Sequence, residues 1–238
     1  MDTYLWITSV WGVYLSLAVF IVGMGWRVRE WATTPKSPVR LGMFPKPATR
    51  AGRVAKMLKD TLIAPHSARI EPKMWFFAMM FHVAALAAFV GHLRLLGEFP
   101  ILPELLGKEG MNAFAAWAGG IAGALMMVAV IFWIGRRTFG PFKNLSVPED
   151  YLLLALLFGV IIMGNHMRFF GEGVHAEDYR AWFTSLWAFR PAFPEELRNV
   201  GWSLGTHMLF VDLLFIYFPF SKLVHTIGAF SANLVRSE

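Results

Sequence analysis

The chain has no cysteine among its 238 residues. That absence removes disulfides, thiolate-bound zinc, iron–sulfur clusters and the C-x-x-C-H attachment of c-type haem. Metal chemistry must therefore rest on histidine, and any haem must be held without a covalent bond. Charge is also scarce. Asp, Glu, Lys and Arg make up 16% of the residues, against 56% hydrophobic and 16% aromatic. A soluble domain of this length does not need so much apolar surface, whereas a lipid-facing bundle does. The net charge of +6 suggests nucleic acid, but the basic residues sit mainly between hydrophobic runs. No nucleic-acid partner is expected. The start, Met1-Asp2-Thr3-Tyr4, lacks a basic region, and the first apolar run ends in Arg27 and Arg29. Neither feature fits a cleaved signal peptide. With no repeat, low-complexity tract or linker, residues 1–238 read as a single membrane domain.

What the chain does have is long apolar runs. A helix needs ~20 residues to cross hydrocarbon. Five segments reach that length, at about 4–26, 74–96, 112–134, 151–170 and 201–227. The expected fold is an all-α integral membrane bundle of five transmembrane helices. The third run contains Ala118-Gly119-Gly120 and Gly123, small residues that let helices approach closely in lipid.

Loop charge sets the direction. The 27–73 loop holds eleven Lys/Arg against Glu30, Asp60 and Glu71. The 97–111 loop has one Lys and three Glu, the 171–200 loop three Arg and five acids. Arg136, Arg137 and Lys143 occupy the loop between. The positive-inside rule places the N-terminus outside and the C-terminus in the cytoplasm. The location is the cytoplasmic (inner) membrane, multi-pass. In the long basic loop, Ala48–Thr61 carries Val54, Met57 and Leu58 among basic residues. It reads either as a short interfacial helix or as a plain basic loop, and both are compatible with docking a cytoplasmic subunit.

Four histidines then stand out. His82 and His92 lie in the second run, His207 and His225 in the fifth. Ionisable residues inside a membrane are functional-site candidates by default. The two spans are antiparallel, so His82 and His225 share the inner depth and His92 and His207 the outer. Each pair can supply two axial imidazoles to one haem iron. At ~1.5 Å per residue the ligands stand ~15 Å apart on the second span and ~27 Å on the fifth. Eighteen residues is an integral number of turns, so His207 and His225 are expected on one face. His82 and His92 are about 80° apart, a mismatch that a bend at Pro219 can absorb. Two haem b are the expected cofactors.

Phe81-His82, Phe89-Val90-Gly91-His92, Ala118-Gly119-Gly120, Arg136-Arg137 and Phe218-Pro219-Phe220-Ser221-Lys222-Leu223-Val224-His225 resemble the cytochrome b (gamma) subunit of respiratory nitrate reductase. The resemblance covers spans two to five. Asn165-His166-Met167-Arg168-Phe169-Phe170 and Asp212-Leu213-Leu214-Phe215-Ile216-Tyr217 are more similar to membrane subunits that pair with heterodisulfide-reductase-like iron–sulfur proteins. The sulfite-reduction-associated membrane complex of sulfur-metabolising prokaryotes is one such system. The resemblance implies that His82, His92, His207 and His225 ligate haem in the pairing above. It also implies a quinol site at the outer haem, and a cytoplasmic iron–sulfur subunit that exchanges electrons with the inner one. Menaquinone or another quinone is the implied substrate. Membrane lipid, a periplasmic cytochrome c and further membrane subunits are the other partners in view. Lys108 is the nearest residue to the quinol-contacting lysine that the family carries before its third span.

Secondary candidates follow. Gly91, His166 and Arg168 lie at the outer ends as quinol contacts, with Arg168 also a partner for a haem propionate or an interfacial anchor. Arg136, Arg137 and Lys222 lie where inner propionates should point, although charge placement explains them equally well. Asp212 reads as a helix–helix bond or part of a proton path, with the structural role favoured. His66 and His175 read as solvated loop residues. The expected function is a dihaem b-type electron carrier between the quinone pool and a cytoplasmic iron–sulfur partner, in dissimilatory sulfur metabolism. The alternatives are the gamma subunit of a respiratory nitrate reductase, and a haem-free membrane anchor.

Overall fold

A computed structural model of the chain describes residues 2–35, 47–171 and 176–237. His175 and residues 36–46 of the basic loop lie outside them. The described residues form helices and turns without a strand. Five helices are long and apolar enough to cross a membrane: Thr3–Thr33, Pro72–Leu95, Leu102–Thr138, Pro148–Phe170 and Gly201–Phe220. They are the first to fifth spans below, and the chain is a multi-pass membrane protein.

Three expectations need correction. The third span starts at Leu102, well before 112, because Pro103 suits the first turn of a helix. A kink at Gly107, with φ at 68°, interrupts it there. The fifth helix does not run to 227. It ends at Tyr217, tightens into a 3-10 turn over Phe218–Phe220, and opens at Ser221 into extended backbone. Pro219 has no amide to give the helix, and Ser221 Oγ instead accepts from the Leu223 amide at 3.1 Å. A new helix begins at His225, so helical phase does not put His207 and His225 on one face. Finally, His66 lies in the short helix Pro65–Ile70 rather than in a loop.

The chain falls into two compact units. One comprises Met1–Leu17 and Met80–Phe215, the other Ala18–Met79 and Ile216–Glu238.

Glycine organises the first unit. Lipid tails give helices little hydrophobic reason to associate, so close backbone approach must do the work. On the third span, side chains of the fourth cover Gly119, Gly120 and Gly123: Arg168, Phe169 and Asn165 respectively. Gly159 of the fourth span receives Phe210 of the fifth, and Gly205 of the fifth receives Tyr4 and Thr8 of the first. One end is closed by helix Ala176–Trp187. Its Trp182 and Leu186 are buried with Leu5, Val10, Leu197, Val200 and Leu204, and Tyr14 donates to the Leu186 carbonyl at 2.7 Å.

In the second unit the amphipathic helix Arg50–Leu62 packs along His225–Ser237. Of the two readings of Ala48–Thr61, helix and plain loop, the helix is the one found. Val54, Leu58 and Leu62, four residues apart, are exposed on it. The break in the fifth span frees carbonyls, and Arg27 Nε donates to that of Pro219 at 2.8 Å. Gly23 leaves the room that Pro219 occupies.

Gly123→Val tests the glycine contacts. Its added atoms collide with the Asn165 amide, and overpacking of this kind costs about 1–3 kcal/mol. The expected result is a lower thermal midpoint in detergent, with no loss when the exposed Gly97 is changed instead.

Candidate functional site

Three of the four histidines share one hydrogen-bonding habit. His92 Nδ1 lies 2.7 Å from the Ala88 carbonyl, a turn earlier on the second span. His207 Nδ1 lies 3.0 Å from the Val160 carbonyl of the fourth span. His225 Nδ1 lies 2.8 Å from the Lys222 carbonyl, at the break in the fifth. A carbonyl only accepts, so each Nδ1 carries the hydrogen and donates it. In the neutral ring Nε2 then presents a lone pair. An axial haem ligand needs that tautomer, and the bonded carbonyl also fixes the ring's direction. His82 stands edge-on to Phe81, ring centroids 5.7 Å apart.

His92 and His207 belong to the same unit and lie within electrostatic reach of each other. Gly164 of the fourth span lets the His207 ring come close, since a Cβ there would stand 3.3 Å from Cε1. His82 belongs to this unit as well, and His225 to the other. The donor set at His92 and His207 therefore fits a bis-imidazole iron: two rings on different helices, each with Nδ1 committed to a carbonyl and Nε2 left over.

A charged network caps the His92 end. Arg94, nearly buried, donates from Nε to Glu98 Oε1 at 2.6 Å, and from Nη2 to Glu98 Oε2 and Asn112 Oδ1, each at 3.1 Å. Arg180 of the capping helix donates to Glu98 Oε2 at 2.7 Å and to the Arg94 carbonyl at 2.8 Å. Lys108 pairs with Glu177 at 2.9 Å, both exposed. Together these residues line a cavity of about 360 Å³. The Arg94 hydrogen bond pulls the Glu98 carboxyl below its ordinary value, against a partial desolvation, and Arg180 adds to the pull. Burial raises the Tyr179 phenol, and the Arg168 guanidinium opposes the rise.

The remaining expected residues separate. Arg168 is exposed overall, and its guanidinium lies over Gly119 of the third span, within electrostatic reach of Arg94 and Tyr179. His166 is wedged against Phe170 and Trp202, at 5.3 and 5.7 Å between centroids. Its buried Nδ1 has no partner among the described residues. Gly91 opens onto free space. Arg137 is held by buried Asp150 at 2.7 Å, and Arg136 sits 3.5 Å over the Phe142 ring. Both are thus occupied within the turn joining spans three and four. Lys222 opens the 3-10 turn before His225.

Sequence reasoning missed Arg94, Glu98 and Arg180. The first two stand four residues apart where the second span ends, a legible pairing signal. Arg180 comes from a segment 82 residues away from Glu98, and nothing local announces it.

Comparison with known proteins bears on this arrangement directly. Residues 66–237 match the family model for the nitrate reductase gamma subunit.

The chain belongs to the nitrate reductase gamma subunit family.

This is the family that the histidine motifs resemble. Among its relatives is an Hdr-like menaquinol oxidoreductase cytochrome b-like subunit of Archaeoglobus fulgidus, 28% identical, with 91% of this chain and 75% of that protein aligned. The corresponding Archaeoglobus profundus protein is 29% identical over 65% of this chain and 47% of its own length. The respiratory nitrate reductase 1 gamma chain of Escherichia coli is 28% identical over 61% and 68% respectively. The family match begins after the first span and the Arg50–Leu62 helix.

The Glu98 network has a pH signature. Its folded carboxyl titrates below the ordinary value of 4.5. The stability it contributes is therefore present above the unfolded value and is lost as pH falls through the folded one. Glu98 is about one-third exposed, so solvent screening keeps the effect small. Glu98→Gln is expected to melt slightly below the parent at neutral pH. The gap should close as pH is lowered below about 4, as read from thermal midpoints.

Proposed function

We propose that the chain is the dihaem b-type membrane subunit of a respiratory complex, carrying electrons between the quinone pool and a cytoplasmic iron–sulfur subunit. The observation that carries this reading is the shared tautomer of His92, His207 and His225, each with its Nδ1 hydrogen committed to a carbonyl. His92 and His207 would hold one haem and His82 and His225 the other. When bound, the haems supply one-electron relays at two depths of the bilayer. The chain's own part is to fix the direction of the imidazoles and commit their Nδ1 hydrogens to carbonyls, which leaves Nε2 for the iron.

Loop charge supports an orientation with the N-terminus outside, which puts the His92/His207 end and its cavity at the outer face. There Lys108, Glu177, Glu98 and Arg180 offer hydrogen-bond partners to a quinol headgroup, and the carboxylates offer acceptors for its protons. Arg168 and Arg94 are placed to stabilise haem carboxylates or quinol oxygens. The long basic loop and the His225–Ser237 helix would face the cytoplasmic partner. Similarity to the two Archaeoglobus subunits supports menaquinol as the donor and a heterodisulfide-reductase-like partner, and the resemblance of the 165–170 and 212–217 stretches carries the place in sulfur metabolism. A nitrate reductase gamma role is the second reading, favoured by the Escherichia coli relative. Co-purification with a molybdenum-containing partner would select it.

Pyridine haemochrome analysis of the purified chain should give two haem b per polypeptide. His92→Ala and His207→Ala should each remove the same haem, and His82→Ala and His225→Ala the other. No haem at all would leave only a membrane anchor.

A further inference from the structure

Asp212 is buried in the fifth span, 5% exposed, and only half of its carboxylate is accounted for. Ser16 Oγ of the first span donates to Oδ1 at 2.8 Å, while Oδ2 has no partner among the described residues. Gly12 makes this seat: any side chain there would run into Asp212 Oδ2. A turn earlier the first span loosens into a π-helix over Ile7–Trp11, whose Thr8 and Ser9 are fully buried. Such bulges frequently mark functional sites. Tyr4, Thr8, Gly12 and Ser16 recur every four residues, and Tyr4 OH lies 2.9 Å from Thr206 Oγ1 of the fifth span. Hydroxyls therefore line the contact between first and fifth spans from the start of the first span down to Asp212.

A carboxyl in hydrocarbon is costly and is kept where it has work to do. No charged residue lies between Thr3 and Gly25 on the first span. The first-span residues against the Asp212 carboxyl, Gly12 and Ser16, carry no charge. The nearest ionisable neighbours of Asp212 along its own helix are His207 and Tyr217, each five residues and about 7.5 Å away along the axis. Charge added at the His92/His207 site is then felt at Asp212 through a medium that screens poorly.

We propose that Asp212 is an intramembrane proton-carrying group, taking up one proton when an electron arrives at the His92/His207 site and releasing it when the electron leaves. The proton is taken from water at the Tyr4 end and lands on Oδ2. One positive charge thus accompanies one electron, and no other reactant is needed. The proposal rests on the haem reading above, and it gives the first span, which the family match does not reach, a part in electron transfer.

The test uses the purified full chain. In redox titrations, the potential of the haem lost in His207→Ala should fall as pH rises in the parent protein and become insensitive to pH in Asp212→Asn with haem content unchanged. Redox-difference infrared spectra of the parent should show a carboxylic-acid C=O band that shifts in D2O, moves in Ser16→Ala and is absent in Asp212→Asn. If Asp212→Asn does not fold, the parent and Ser16→Ala spectra decide. A chain that keeps both haems but shows no such band, or the same pH dependence in Asp212→Asn, overturns the proposal. A chain without haem overturns the function instead. Its pH-difference infrared spectrum still tests Asp212, because absence of a titrating carboxyl band would contradict a proton-carrying role.

Discussion

Bare backbone at helix crossings is the constraint on which the described core depends. In lipid, helices gain little by hiding apolar side chains from one another, and association rests on packing and on polar contacts. The third and fourth spans meet at Gly119, Gly120 and Gly123, the fourth and fifth at Gly159 and Gly164, and the fifth and first at Gly205 and Gly12. Each crossing also seats a functional or polar group. Gly164 admits the His207 ring, Gly119 the Arg168 guanidinium, and Gly12 the Asp212 carboxyl. Packing and chemistry are therefore set by the same positions. A larger residue would both separate the helices and move the group.

Hydrogen-bond accounting does the rest. Backbone carbonyls inside a membrane need donors. Val160 is already engaged within its helix, yet its second lone pair takes the His207 Nδ1 hydrogen, which orients the ring and selects its tautomer. The break at Pro219 and Ser221 creates carbonyls without helical partners. Arg27 answers that of Pro219, while His225 turns its Nδ1 to the Lys222 carbonyl, which the His225 backbone amide also reaches. The interruption that spoils an unbroken fifth helix thus also fixes the direction of the histidine that follows it.

Much of the fold was legible because a span leaves a strong signal. Twenty apolar residues in a row have few other readings, and all five helices lie where those runs fall. The histidines were legible for the same reason, as ionisable groups in apolar surroundings. Helix ends were less so. Leu102–Met111 is polar enough to read as loop, yet it continues the third span, and the apolar run through Ile227 hid the end of the fifth helix at Tyr217. Asp212 was noticed, but its partner was not, because Ser16 lies 196 residues away. The same holds for Arg180 and Glu98. Contacts between distant segments carry no local pattern.

In the function proposed above, electrons enter at the His92/His207 end, beside the polar cavity and the buried carboxyl of Asp212. The most direct test is quinol-driven reduction. The purified chain is reconstituted in liposomes without oxygen, a menaquinol analogue is added, and the b-type absorption band is followed in time. The account predicts that quinol alone reduces the bound haem, and that His207→Ala abolishes this. Haem that dithionite reduces but quinol leaves oxidised would contradict it.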